Sequence, residues 1–303
     1  MIRKYCIFFI LLLYNSIYAH TNQVNNTNIA QDKIPVTVSF SILSDIVHQI
    51  GGDKIMIHTL VGQNQDVHDY ELKPQDIINI NNSKLFFING LGLEAGFVYK
   101  IQNTTKATLV DTTKKISPLK LLDNNTIKID PHAWGNTNNI IKYYIPNILT
   151  ALIEESPQNK AYFVNNANQY TNKLKKLDKS IKIKLQVISP TRRKLITTHD
   201  AFGYFAKAYN IDFLYAQGIS TDSEATTQDI AKLEKLIKNS DIKIVFLENM
   251  TNNKLITQIA KDTNAIIGGK LYSDALSENN EPADSYLNMI NYNINTLINA
   301  WKK

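Results

Sequence analysis

Short apolar runs alternate with segments whose hydrophobic residues recur every three or four positions, and this alternation continues along most of the chain. Val36 to Phe40 is a β-branched run. Ser41 follows as a helix cap, and Ile42, Leu43, Ile46, Val47 and Ile50 line one helical face up to a stop at Gly51-Gly52. A second strand, Ile55 to Leu60, runs into a polar loop from Gly62 to Asp69. Pro74-Gln75-Asp76 opens a helix through Ile77, Ile78 and Ile80, and Leu85 to Ile88 reads as a buried strand ending at Asn89-Gly90. Residues 107–110 supply another strand, after which a loop reaches Asp130. Strands alternating with amphipathic helices imply a parallel sheet.

From Pro157 to Ile188 the period lengthens. Phe163, Ala167, Tyr170, Leu174, Leu177, Ile181, Leu185 and Ile188 are spaced by three or four with no Gly or Pro between them. At about 1.5 Å per residue such a helix is roughly 45 Å long, wider than one lobe, so it reads as a strut between two lobes; a coiled-coil segment is the alternative. Beyond Pro190 the strand–helix rhythm resumes, with strands at 195–198, 213–216, 244–247 and 265–267 and helices at 201–209, 227–238, 254–262 and 286–301. The expected fold class is α/β: two similar lobes with parallel central sheets joined by one long rigid helix. The expected divisions are an amino-terminal lobe at 34–156, a linking helix at 157–188 and a carboxyl-terminal lobe at 189–303.

A chain of 303 residues, 44% hydrophobic and 20% charged, can fill two cores of ordinary size and is not a disordered polymer. Arg3 and Lys4, the apolar run from Cys6 to Leu13 and the stretch Ser16 to Ala19 read as a cleavable secretory leader over 1–19, too short to span a membrane. Residues 20–33, rich in Asn, Gln and Thr, read as a flexible tether. The protein is therefore expected to be periplasmic. Cys6, the sole cysteine, precedes the apolar run, so no lipoprotein is expected; the mature chain then has neither disulfides nor thiolate ligands, and any metal must be held by imidazole and carboxylate. The leader carries two of the charges behind the formal +6, and the remaining surplus forms no long basic run, so nucleic-acid binding is not expected.

Six histidines occur. His20 borders the cleavage point, His48 lies in a helix and His58 in a strand, and none of these is a strong ligand candidate. His68, His132 and His199 each lie where a strand gives way to a loop or helix, where open α/β sheets build their sites, and each has an aspartate beside it. Neutral imidazole is a common metal ligand. Asp66, Asp130 and Asp200 could fix the imidazole tautomers, although capping and turn formation is the favoured role. Asp274 completes a candidate set of four. Trp134 is expected to pack behind the site, Tyr204 and Phe205 to fill core, Glu248 to act as a cap rather than approach the cleft, and Tyr70 and Glu71 to border the site.

The phrases Asp66-Val67-His68-Asp69-Tyr70-Glu71, Asp130-Pro131-His132-Ala133-Trp134, Thr198-His199-Asp200-Ala201-Phe202-Gly203-Tyr204-Phe205, Gly218 to Ala225 and Leu271-Tyr272-Ser273-Asp274-Ala275-Leu276-Ser277 resemble, in order, the cluster A-I metal-binding proteins, the solute receptors of zinc and manganese ABC transporters. The resemblance implies a metal in the interlobe cleft, held by His68 and His132 from the first lobe and His199 and Asp274 from the second. It implies a monomer that carries Zn2+ or Mn2+ as its transported ligand to an ABC transporter membrane permease and performs no catalysis. Residues 114–129 lack the His-rich loop that zinc receptors of the family often carry. His199 follows the zinc receptors, whereas Asp274 follows manganese-type and mixed-specificity members; three nitrogens favour zinc, with manganese next. The competing reading is a metallohydrolase with an open three-histidine site, although no H-E-x-x-H pattern is present.

Overall fold

The computed structural model describes residues 33–123, 126–215, 218, 221, 226–239 and 244–302, and they form two α/β lobes joined by one long helix. The expected leader, the tether up to residue 32 and most of the 218–225 phrase lie outside the described residues.

The first lobe is built from β1 (Ile34–Phe40), α1 (Ser41–Gly51), β2 (Ile55–Val61), α2 (Pro74–Asn82), β3 (Leu85–Ile88), α3 (Ala95–Ile101) and β4 (Thr108–Asp111). Its four strands pair in parallel in the order β2-β1-β3-β4. All four β3 residues, Leu-Phe-Phe-Ile, are buried, as a central strand covered on both faces requires. α1 ends where the glycine pair predicts, with Gly52 at φ +51, a left-handed conformation open to a residue without Cβ. Ser41, however, is not the cap. Phe40 holds the cap position, and the Ser41 hydroxyl accepts a 3.0 Å bond from Leu276 N of the second lobe, so it is committed to a partner other than the helix's own N–H groups.

Three elements are additional to the sequence reading. An antiparallel hairpin, β5 (Lys120–Asp123) and β6 (Thr126–Ile129), occupies the loop expected before Asp130. α3 is only seven residues long, too short to show a helical period. The third is a helical run through residues 137–155 with one π segment at Ile140–Tyr144, which leads into α4 (Ile145–Glu155). Pro146 masks that helix in the sequence, but it follows directly on the π segment, where the regular i→i−4 ladder is already interrupted.

The linking helix α5 (Lys160–Leu185) has 26 residues, about 39 Å at 1.5 Å per residue. Phe163, Ala167, Tyr170, Leu174, Ile181 and Leu185 are its buried face, as the spacing predicts. That face packs on α1, on α4 and on the last helix, so this is a core strut rather than a coiled coil. The second lobe follows with β7 (Lys194–Thr197), α6 (Gly203–Tyr209), β8 (Asp212–Tyr215), α7 (Thr227–Asn239), β9 (Ile244–Glu248), α8 (Lys254–Thr263), β10 (Ile266–Leu271) and α9 (Tyr286–Trp301). β7 pairs in parallel with β8 and β9 with β10, and β7 runs beside β9. α6 begins later than the sequence suggests, because residues 198–202 form a turn in which Thr197 Oγ1 and Ala201 N both donate to His199 O.

One apolar core extends from the first lobe across α5 to α9, and a smaller one containing Ile196, Val245, Ile256 and Ile259 lies under the outer part of the second lobe. α9 reaches back onto α5 and α1, where Tyr286 N donates to Asp45 Oδ2 at 2.9 Å. A core continuous between the lobes cannot open widely without exposing apolar surface, which keeps the cleft narrow.

Candidate metal centre

Each of the four candidate residues lies beyond the carboxyl end of a strand: His68 after β2, His132 after β6, His199 after β7 and Asp274 after β10. The structure brings all four together, with one nitrogen or oxygen of each within 4.8 Å of the others. The imidazoles face inward through Nε2. His68 Nε2 and His132 Nε2 are 3.3 Å apart, and Asp274 Oδ2 lies 3.3 Å from His68 Nε2 and 2.9 Å from His199 Nε2. Asp274 Oδ1 turns the other way, 3.7 Å from His132 Nε2. Metal–ligand bonds of about 2.0–2.1 Å in a tetrahedron place neighbouring donors about 3.3 Å apart, and these separations straddle that value. Asp274 Oδ1 is buried with no hydrogen-bond partner among the described residues, so a lone pair there is left for a cation. His132, His199 and Asp274 are sealed from solvent, and the His68 side chain, 6% exposed, marks the side by which an ion would enter.

Behind the imidazoles stand carboxylates. Asp130 Oδ1 accepts from the His132 backbone N–H at 2.9 Å and lies 2.8 Å from His132 Nδ1, so one acid both shapes the turn and sets the tautomer. Glu248 takes the corresponding place behind His199, close to Nδ1 but off the line of a hydrogen bond. Its Oε1 accepts from the Thr198 and His199 N–H groups, each at 3.0 Å, while its Oε2 accepts from Ser273 Oγ at 2.7 Å and stands 2.7 Å from His199 Nδ1. Glu248 therefore caps the Thr198–His199 turn, as expected, and also reaches the cleft, the contact that the sequence reading set aside. The available signal was its position: an acid closing an apolar parallel strand points to the same sheet end as the other site residues.

Asp66 takes the turn-forming role, accepting from His68 N at 2.9 Å. Asp200 touches neither imidazole, and burial together with the charge of Asp130 pushes its carboxyl up to about 6. Trp134 packs edge-on against His132, with centroids 5.2 Å apart, and donates from Nε1 to Ser273 O at 2.9 Å. Tyr70 instead donates to Asp76 Oδ2 at 2.7 Å and meets Phe97 edge to face, and Glu71 is exposed. His48 is exposed on α1, and His58 bonds Asn79 across 2.9 Å, outside the cluster.

Burial opposes charge on His132, yet the Asp274 carboxylate and the bonds to Asp130 and Asp274 outweigh it and push its pKa up to about 9. For His199 too, burial is overcome, here by Glu248 and Asp274, and the ring titrates well above its ordinary value. Burial would raise Asp274, but the facing imidazoles hold it well below the carboxylate range. The pocket is thus built for net positive charge at its centre.

The family model described as "ZnuA: Zinc-uptake complex component A periplasmic" matches residues 36–300. The chain is 33% identical to the "Manganese ABC transporter substrate-binding lipoprotein scaA" of Streptococcus gordonii over 304 residues, covering 97% of this chain and 98% of that protein. It is 32% identical to the "Manganese ABC transporter substrate-binding lipoprotein PsaA" of Streptococcus pneumoniae over 282 residues, 90% of this chain and 91% of that one. Among solved structures, the periplasmic zinc binding protein TroA from Treponema pallidum superposes with a TM-score of 0.83 at 28% identity, covering 89% of this chain and 99% of its own. The Mn-bound periplasmic metal binding protein from Candidatus Liberibacter asiaticus gives 0.80 at 28% identity, with coverages of 89% and 100%. The streptococcal names correct one expectation: relatives matching nearly the whole chain are lipoproteins, so the inference from Cys6 that the chain is not one falls. That inference rested on where a cysteine stands relative to a leader outside the described residues, a position on which the folded chain places no constraint. With the family model spanning both lobes and the relatives spanning nearly the whole length, the chain belongs to the zinc-uptake component A family, the substrate-binding receptors of metal ABC transporters, which pair with a membrane permease and are not enzymes.

Proposed function

We propose that His68, His132, His199 and Asp274 hold a divalent transition ion as cargo and that the chain gives it up to its permease by withdrawing part of this shell. The observation that carries the reading is the convergence of three Nε2 atoms and both oxygens of one carboxylate at ligand-to-ligand spacing in a buried pocket. Three nitrogens and one oxygen suit zinc, and zinc lies above manganese in the general order of divalent affinities. The two oxygens of Asp274, facing different imidazoles, leave room for a bidentate carboxylate and the higher coordination number that manganese takes; the streptococcal relatives bear manganese in their names. We therefore infer a site that accepts both ions and binds zinc more tightly. The division into lobes at 34–156 and 189–303 about a link at 157–188 accompanies this reading, supported by strand pairings that, among the described residues, stay within one lobe or the other.

The test is competition. Protein stripped of metal is offered zinc and manganese together, and the bound ion is measured by elemental analysis. One ion per chain, zinc displacing manganese and loss of uptake in Asp274→Ala are expected; uptake undiminished in Asp274→Ala would remove the assignment.

A further inference from the structure

The four candidate ligands come from four loops, and the backbone flanking Asp274 is tied to each of the other three. Trp134, two residues beyond His132, donates from Nε1 to Ser273 O at 2.9 Å. Ser273 Oγ in turn donates to Glu248 Oε2 at 2.7 Å, the oxygen that stands 2.7 Å from His199 Nδ1. Asn64, on the His68 loop, donates its N–H to Leu276 O at 2.9 Å. Asn249 closes the same connection, its Nδ2 donating to Asn64 Oδ1 at 3.1 Å and to Ala275 O at 3.2 Å. Asn64 makes these contacts at φ +53, a left-handed conformation that asparagine tolerates better than most residues.

We propose that Ser273–Leu276 is one mechanical link through which His68, His132 and His199 move with Asp274, that Trp134 and Asn249 are its positioning residues, and that the ion leaves in a single displacement of this segment. The proposal rests on the metal assignment above. It deepens that reading by naming the coordinate along which the shell opens. Packing alone does not require it: the Ser273 carbonyl is taken by Trp134 of the first lobe, and the Ala275 carbonyl by Asn249 of its own lobe, whose amide also reaches Asn64 on the His68 loop.

The kinetic consequence separates concerted from piecemeal release. If the segment moves as a unit, every bond to it is broken at the barrier, so the barrier reductions from separate substitutions add and the release rates multiply. If the ligands leave independently, the fastest route dominates, and a second substitution adds little.

The experiment loads the full chain with Co2+, mixes it with excess EDTA in a stopped-flow instrument and follows loss of the cobalt absorption. The variants are Trp134→Phe, which keeps the ring against His132 but removes the donor, Asn249→Ala, and the two combined. Each single substitution is expected to speed release about tenfold, the scale of one lost hydrogen bond, and the double about hundredfold, with the cobalt spectrum of the bound state unchanged. Single variants that release at the wild-type rate, or a double no faster than the faster single, would overturn the link. A wild-type chain that takes up no cobalt would instead remove the metal assignment beneath it, a result distinct from uptake with unchanged release.

Discussion

Replacing Glu248 by glutamine tests how the site controls the state of its ligands. The side chain is buried and keeps its length, so the change is one of charge and of donor for acceptor. The new carbonyl can take over the two bonds that Oε1 accepts from Thr198 N and His199 N. The amide NH2 then occupies the place of Oε2, facing the Ser273 hydroxyl and His199 Nδ1. The hydroxyl can rotate and accept. The imidazole can satisfy the amide only by presenting a bare Nδ1, which moves its proton to Nε2, the atom that faces the ion. Restoring the binding tautomer sets two buried donors against each other, a penalty of about 1–3 kcal/mol, and outer partners of metal-bound histidines typically control about 10–100-fold in affinity. Zinc affinity, measured by competition with a chromophoric chelator, is therefore expected to fall about 10–100-fold near neutral pH in Glu248→Gln. A second effect has the opposite sign. The Glu248 charge helps hold His199 in its protonated form, so its loss weakens proton competition and offsets part of the deficit at acid pH. The deficit should thus widen as pH rises. An affinity within about twofold of wild type, or a deficit that shrinks with rising pH, would refute the assignment of Glu248 as the group that sets the His199 tautomer.

Other consequences follow from the same geometry. In the metal-free protein His132 titrates at about 9 against 6.5 for a free imidazole, so its contribution to stability is complete below 6.5 and is lost as pH rises through about 9. The melting temperature of the metal-free chain should fall across that interval, and a saturating ion should remove the fall by replacing the proton; a flat profile without metal would contradict the assignment. For the same reason ion uptake should release protons and strengthen with pH up to about 9, which calorimetry in buffers of different ionisation enthalpy would show. Leu174, fully buried in the middle of α5, should cost about 2–5 kcal/mol when cut to alanine, read from denaturant unfolding as one cooperative transition because the principal core runs through this helix. Two separated transitions would show that the lobes do not share a core.

The parts of this fold legible in the sequence are those where periodicity is long or burial is complete. α5 declared itself through seven apolar positions at helical spacing, and β3 through four consecutive apolar residues, because each must satisfy a core that tolerates no polar intrusion. The β5–β6 hairpin did not, since Lys120, Asp123, Thr126 and Lys128 break up its apolar positions, and α3 did not, since Gly96 stands in its first turn and only seven residues follow the helical path. Ser41 failed as a helix cap, and the approach of Glu248 to the cleft went unread, for one reason: each is engaged by a residue of a distant segment, Leu276 and His199 respectively, and local patterns hold no record of such partners. The three histidines singled out as ligand candidates were readable because each sits where a strand gives way to a loop or helix beside an aspartate, whereas Asp274 was carried mainly by the family resemblance. Their mutual spacing became visible only when both lobes were folded.

The central claim is that one divalent ion is bound by three imidazoles and one carboxylate. X-ray absorption spectroscopy of the zinc-loaded chain measures this directly. A first shell of nitrogen and oxygen with the multiple-scattering signature of three imidazoles is expected at about 2.0–2.1 Å, reduced to two in His199→Ala. A first shell with one imidazole or none, or one that His199→Ala leaves unchanged, would contradict it.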